Sequence, residues 1–130
     1  MRVVIDCNVL VSAARSGGVC REVIVEVIRD HEVVVSEPIV EEYGTVAGRL
    51  AHAPYRDGLL DIIAQLEQVA TVVEPADTVF GLKDLDDEVY LATAVSGGAV
   101  LITGNRRDFA KPRCGPVEIF SPRAFLDRTE

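Results

Sequence analysis

The sequence predicts an α/β fold, with a central parallel β-sheet and helices on both of its faces. Three observations lead there. Val3, Val4 and Ile5 are consecutive and β-branched, which suits a strand covered on both sides rather than one with a wet face. Strand-like runs then alternate with amphipathic helical patterns along the whole chain, the order that builds a parallel sheet with crossover helices. Serine, proline and glycine fall between these runs, where helices start and stop.

Strands are expected at about residues 2–6, 32–36, 70–74, 99–103 and 117–120. Between the first two, Val19 to Arg29 places Val23, Ile24, Val27 and Ile28 on one helical stripe. Pro38 to Leu50 reads as a helix opened by Ser36 as cap, with a first-turn proline. Tyr55 to Val69 carries Leu59, Ile62, Ile63 and Leu66 on one face. Asp86 to Ser96 carries Val89, Leu91, Ala92 and Val95 and stops at Gly97 and Gly98. Ser121 and Pro122 open a last short helix through Phe125 and Leu126.

A length of 130 residues suits one domain, expected to span 1–130. With no tryptophan, its core is aliphatic. No apolar stretch approaches the ~20 residues that span a bilayer, and the N-terminal run lacks the form of a signal peptide. A cytoplasmic location and no membrane partner are expected. Cys7, Cys20 and Cys114 are odd in number and without CxxC spacing, so they indicate neither a disulfide framework nor a zinc site. The net charge of −8 argues against binding nucleic acid by general phosphate neutralisation. Any such role needs a local basic patch, a bound cation, or both.

In parallel sheets ligands bind beyond the carboxyl ends of the strands. Several acids fall there. Asp6 ends the first strand; alone, it either caps the next helix or does chemistry. Glu41 and Glu42 lie in the helix after strand 32–36, where Glu41 reads as a solvated position. Asp84, Asp86, Asp87 and Glu88 open the helix before strand 99–103. As a capping cluster they are worth roughly 0.3–1 kcal/mol per charge; as ligands they suit a hard cation such as Mg²⁺ or Mn²⁺. The stretch ITGNRRDF, 102–109, leaves the fourth strand at the same edge. Carboxylates crowded without a cation repel one another and raise each other's pKa, a penalty that a divalent ion removes.

With these motifs in hand, the chain resembles a PIN domain of the VapC-like kind, the toxin component of type II toxin–antitoxin systems. VVIDCNVLVSA resembles the family's opening, VSEPIVEEYGTV its segment with a glutamate six residues after the serine, and DLDDEVYLATAVSGGAVLITGN its Asp-x-x-Asp, helix and Thr-Gly-Asp/Asn strand end. The resemblance covers almost the entire chain. It implies a flavodoxin-like α/β/α sandwich and a metal-dependent endoribonuclease. It implies that Asp6, Glu42 and Asp87 hold Mg²⁺ or Mn²⁺ and carry catalysis, with Asn105 as a further oxygen ligand. Asn8 supports Asp6, Thr103 lines the site and Asp84 is secondary. A cognate antitoxin and a homodimer are implied as partners, the helices at 37–50 and 54–69 being candidate dimer surfaces.

Two departures stand out. Cys7 replaces the usual Thr or Ser, and Asn105 stands where many relatives carry a fourth aspartate, so the site holds one negative charge fewer. Arg106 and Arg107, with Lys111 and Arg113, lie just past the site strand, where they either steer an RNA backbone or form a solvated loop. The alternative function is a catalytically weakened module that acts by binding an antitoxin or itself. A phosphotransfer domain of haloacid-dehalogenase type fits poorly, because Asn8 replaces its second aspartate.

Overall fold

The computed structural model describes residues 1–77, 81, 85–104 and 113–128, with the side chains of Leu85, Asp86, Arg113 and Cys114 excepted. The elements run β1 (Arg2–Ile5), α1 (Cys7–Ser16), α2 (Gly18–Asp30), β2 (Glu32–Val35), α3 (Glu37–Arg49), α4 (Arg56–Val69) and β3 (Thr71–Val72). They continue as α5 (Leu85–Gly97), β4 (Val100–Ile102), β5 (Arg113–Cys114), β6 (Val117–Phe120) and α6 (Pro122–Asp127). The strand order is β3-β2-β1-β4-β6-β5. Neighbours are parallel from β3 through β6, and β5 alone runs antiparallel, against β6. Helices flank the sheet in an α/β/α sandwich, as the alternation of runs predicts.

All five expected strands are present. Val3, Val4 and Ile5 are buried without exception, as are Val33, Val34 and Val35, which is the mark of strands covered on both faces. Two elements go beyond the expected set. The helix α1 was legible only as something Asp6 might cap; its buried residues Val9, Leu10 and Ala13 form the inward stripe. The two-residue β5 is too short for any periodicity to announce it. Within the described residues no helix is long and apolar enough to cross a membrane.

The helix punctuation held with two changes of role. Ser121 caps α6, accepting a bond from the Ala124 backbone N–H at 3.1 Å. Ser36 occupies the cap position of α3, but its hydroxyl accepts no bond from the first turn. It accepts instead from Thr93 Oγ1 of α5, at 2.8 Å, tying that helix to the tip of β2. Gly97 is not only a stop. It lies inside α5, where a Cβ would meet Val34 Cγ1 at 2.6 Å, so only glycine lets the helix sit this close to the sheet.

One topological feature positions the site. The chain winds outward from β1 to β2 and β3, then returns to β4 on the other side of β1. Strand order reverses between β1 and β4, and the crevice beyond the carboxyl ends of such a pair is where open α/β sheets bind ligands.

Candidate functional site

The register sets two polar residues side by side at that crevice. Ile5 pairs with Ile102, so the next residues, Asp6 and Thr103, leave the sheet as neighbours. The Asp6 N–H continues the ladder, donating to Ile102 C=O at 2.9 Å. Both side chains are almost fully enclosed, Asp6 at 7 % exposure and Thr103 at none. A buried carboxylate requires donors. Thr103 Oγ1 supplies a close one, at 2.8 Å from Asp6 Oδ2.

Asp6 is the cap of α1 as well. Its carboxylate accepts from the Asn8 backbone N–H, at a long 3.5 Å. Capping and a further role are therefore both open to it, and the Thr103 bond is the tighter constraint. Asn8 bridges the two strand tips. Its Nδ2 lies 3.5 Å from Asp6 Oδ2 and from Thr103 Oγ1, while its Oδ1 accepts from the Gly104 N–H at 3.0 Å. A Cβ at Gly104 would come to 3.3 Å from that Oδ1, a tight approach that glycine relieves.

Two buried tyrosines converge on the same strand tip. The Tyr43 hydroxyl of α3 donates to Ile5 C=O. The Tyr90 hydroxyl oxygen of α5 accepts from the Cys7 N–H at 3.2 Å. Burial pushes both phenols well above their ordinary range, and the negative charges of Asp6 and Glu42 push both the same way. Both phenols therefore stay protonated. The charges of Asp6 and Glu42 thus bear on the same two rings, although 36 positions part the acids in the chain. Glu42 is partly exposed beside the buried Tyr43. Asp87 is 9 % exposed in the first turn of α5, three residues before Tyr90 and so on the same side of that helix.

Of the residues singled out from sequence, Asp6, Asn8 and Thr103 form one bonded group. Glu42 lies on α3 and Asp87 on α5, each beside or one turn from a tyrosine that reaches the tip of β1. Asp84, Asn105, Arg106, Arg107 and Lys111 lie outside the described residues. Among the described residues, no three His, Cys, Asp or Glu side chains are arranged to hold a metal ion on their own. The donor chemistry nonetheless suits a hard cation. Mg²⁺ is commonly held by one or two carboxylates and completes its octahedron with water and substrate oxygens, so a closed three-acid cage is not required. Cys7 is buried and Cys20 partly so, in keeping with small packing residues. Sequence reasoning missed Tyr43 and Tyr90, which sit in apolar helical stripes and read there as core aromatics. Their one signal is rarity, since Tyr, Phe and Trp make up 5 % of the chain.

A hollow lies elsewhere. About 510 Å³ opens between α2 and α6, lined by Arg21, Glu22, Val25, Glu26, Arg29 and Leu126 among others. It is shallow and gathers no buried polar group, so chemistry favours the crevice at the strand tips.

Known proteins agree with this assignment of the fold. The family model of the PIN domain matches residues 2–107. The chain belongs to the PIN domain family. Among solved structures, a chain of the VapBC2 complex from Rickettsia felis, bound to a DNA fragment from its promoter, superposes with a TM-score of 0.68 at 13 % identity. That match covers 93 % of this chain and 98 % of the other. A chain of VapBC-1 from nontypeable Haemophilus influenzae gives 0.64 at 18 % identity, covering 95 % and 99 %. A chain of DNA-bound VapBC from Salmonella typhimurium gives 0.64 at 16 %, covering 94 % and 98 %. No curated protein sequence matches this PIN domain chain.

Proposed function

We propose that this PIN domain chain is a metal-dependent endoribonuclease, the VapC-like toxin of a toxin–antitoxin pair, acting in the cytoplasm as a single domain. The observation that carries the reading is the enclosed Asp6 carboxylate at the sheet's switch point, gripped by Thr103. Membership of the PIN domain family and the likeness to chains of VapBC complexes support it.

In this reading Asp6, Glu42 and Asp87 supply the acidic oxygens for Mg²⁺ or Mn²⁺, one or two of them directly and the rest through bound water, and Asn105 adds a neutral oxygen. Bound there, the ion supplies Lewis-acid polarisation of the phosphodiester and makes nearby water more acidic. The chain's own residues do the rest. Thr103 and Asn8 fix the Asp6 carboxylate so that its oxygens need no reorganisation on binding. Glu42, the more accessible acid, orients the attacking water and takes its proton, with Asp87 as the buried counterpart. Arg106 and Arg107 meet the RNA backbone, which answers the difficulty of a chain with net charge −8. RNA enters as a single strand or loop. A cognate antitoxin and a second copy of the chain are its protein partners.

The test is incubation of the purified protein with RNA and Mn²⁺. Cleavage is expected, is abolished by excess EDTA, and falls by more than about 100-fold in Asp6→Asn, beyond the range typical of losing an outer-shell partner. Cleavage that is unchanged by either treatment overturns the reading. A second reading rests on Asn105, which removes a charge from the acidic set. In it the chain acts by binding alone, and the same assay then shows Mn²⁺ or antitoxin binding with no RNA cut.

A further inference from the structure

We infer that Tyr43 and Tyr90 are positioning residues for the acidic site, each stapling one acid-bearing helix to a peptide group beside Asp6. The inference rests on the reading of Asp6, Glu42 and Asp87 as the cation-holding acids.

Asp6 is flanked by two peptide groups, the one that ends in the Ile5 carbonyl and the one that begins at the Cys7 N–H. Each is claimed by a tyrosine from a different helix. Tyr43 donates to the first and Tyr90 accepts from the second, at 3.2 Å. A phenol both donates and accepts, so one residue type serves both polarities. The rings are 2 % and 1 % exposed, and in so dry a place water does not compete for these bonds.

The positions of the tyrosines give these bonds their meaning. Tyr43 directly follows Glu42 in α3, and Tyr90 lies one turn beyond Asp87 in α5. Each staple is thus adjacent to the acid it would place. Much of the buried packing of these helices is aliphatic, through Ile39 and Ala47 on α3 and Leu91 and Ala94 on α5. Such contacts are non-directional and tolerate small slides and rotations. A hydrogen bond does not, since it weakens steeply with angle and length. A misplacement of 1 Å at a reacting centre can cost about 100-fold in rate, so the directional bonds set what the aliphatic contacts leave loose. The Thr93–Ser36 bond, at 2.8 Å, adds a further tie between α5 and the tip of β2.

Phenylalanine keeps the ring volume and removes only the hydroxyl, so Tyr43→Phe and Tyr90→Phe isolate the staple. Calorimetry with Mn²⁺ alone is the readout, beside urea unfolding without metal. Val27→Ala, in α2 and remote from the strand tips, serves as a variant weakened in the core only. Each Phe variant is expected to bind Mn²⁺ about 10-fold more weakly, within the range typical of outer-shell partners, and to lose kcat rather than gain KM for RNA. Val27→Ala is expected to unfold at lower urea yet bind Mn²⁺ as the wild type does. Wild-type Mn²⁺ affinity in both Phe variants, or an equal loss in Val27→Ala, overturns the inference. Amide exchange separates this failure from that of the metal reading. In Tyr90→Phe the Cys7 N–H is expected to exchange at least about 10-fold faster, with Val4 unchanged, a ratio corresponding to loss of one net hydrogen bond. Unchanged exchange at Cys7 removes the staple. Faster exchange in a protein whose wild type binds no Mn²⁺ removes the metal reading and leaves the staple standing.

Discussion

The two ends of the sheet hold their acids with different kinds of partner. At the amino ends of the strands, the acids are matched to cations within the chain. Glu26 Oε2 lies 3.0 Å from Arg128 and 3.1 Å from His31 Nε2, and Glu32 lies 3.1 Å from Arg2. Arg128 also stacks over the Phe125 ring, 3.9 Å from its centroid, and donates to the Phe125 carbonyl at 2.5 Å. At the carboxyl ends, the Thr103 hydroxyl and the Asn8 carboxamide and backbone N–H, all uncharged, donate to Asp6, and the charges of Asp6 and Glu42 both bear on the buried Tyr43 phenol. The first arrangement neutralises charge and stiffens the α2–α6 corner. The second surrounds a buried carboxylate with neutral hydrogen-bond donors that fix its position.

This contrast can be broken by substitutions that hit one end and not the other. The largest effect is expected at the carboxyl edge. Thr103→Val removes the hydroxyl that grips Asp6 while keeping the shape, and Mn²⁺-dependent cleavage is expected to fall about 10–100-fold, with Thr103→Ser restoring most of it. A Thr103→Val enzyme of normal rate would mean that the grip on Asp6 is only structural.

At the amino edge the same logic runs through stability. Arg128→Ala removes the ion pair with Glu26, the carbonyl bond and the ring contact together, and is expected to cost about 1–2 kcal/mol in urea unfolding. Cleavage per folded molecule is expected to stay within about twofold, a free-energy change well below the roughly 1.4 kcal/mol of a tenfold effect. A matching loss of rate would erase the distinction between the two ends.

The smallest effect is a pH dependence. Burial raises the Glu26 carboxyl, but hydrogen bonds from His31 and Arg128 outweigh it, leaving the group below its ordinary value of 4.5. Folding therefore favours the carboxylate. Its contribution is complete above the unfolded value and is lost as pH falls through the lowered one. Urea midpoints measured from about pH 5 down to about pH 3 are expected to decline less steeply in Glu26→Gln than in the wild type. Parallel slopes would show that the acid at this corner is not tied to folding.

How much of this was legible from residues alone depends on what kind of signal each element carries. Val3 to Ile5 and Val33 to Val35 announce strands because β-branching and burial on both faces act over a few adjacent residues. Asp6 stood out because an acid at the end of such a run is anomalous wherever it is read. Glu42 was separable from Glu41 only by resemblance, and the structure gives a physical counterpart: Glu42 acts electrostatically on the buried phenols of Tyr43 and Tyr90. The roles of Tyr43, Tyr90 and Ser36 were not legible. A tyrosine in an apolar stripe looks like any other core ring, and a serine before a proline looks like a helix cap whether or not its hydroxyl turns elsewhere.

By itself, then, the sequence determined the parallel sheet, its helical cover and the acid at the tip of the first strand, since these follow from local periodicity, β-branching and short-range punctuation. Only the tertiary structure decided that β4 returns beside β1, that Thr103 rather than the first turn of α1 holds Asp6 most closely, and that two phenols from distant helices meet the peptide groups on either side of it. Those choices rest on directional bonds between residues 38 to 97 positions apart, and no local pattern encodes which partner a buried donor will find.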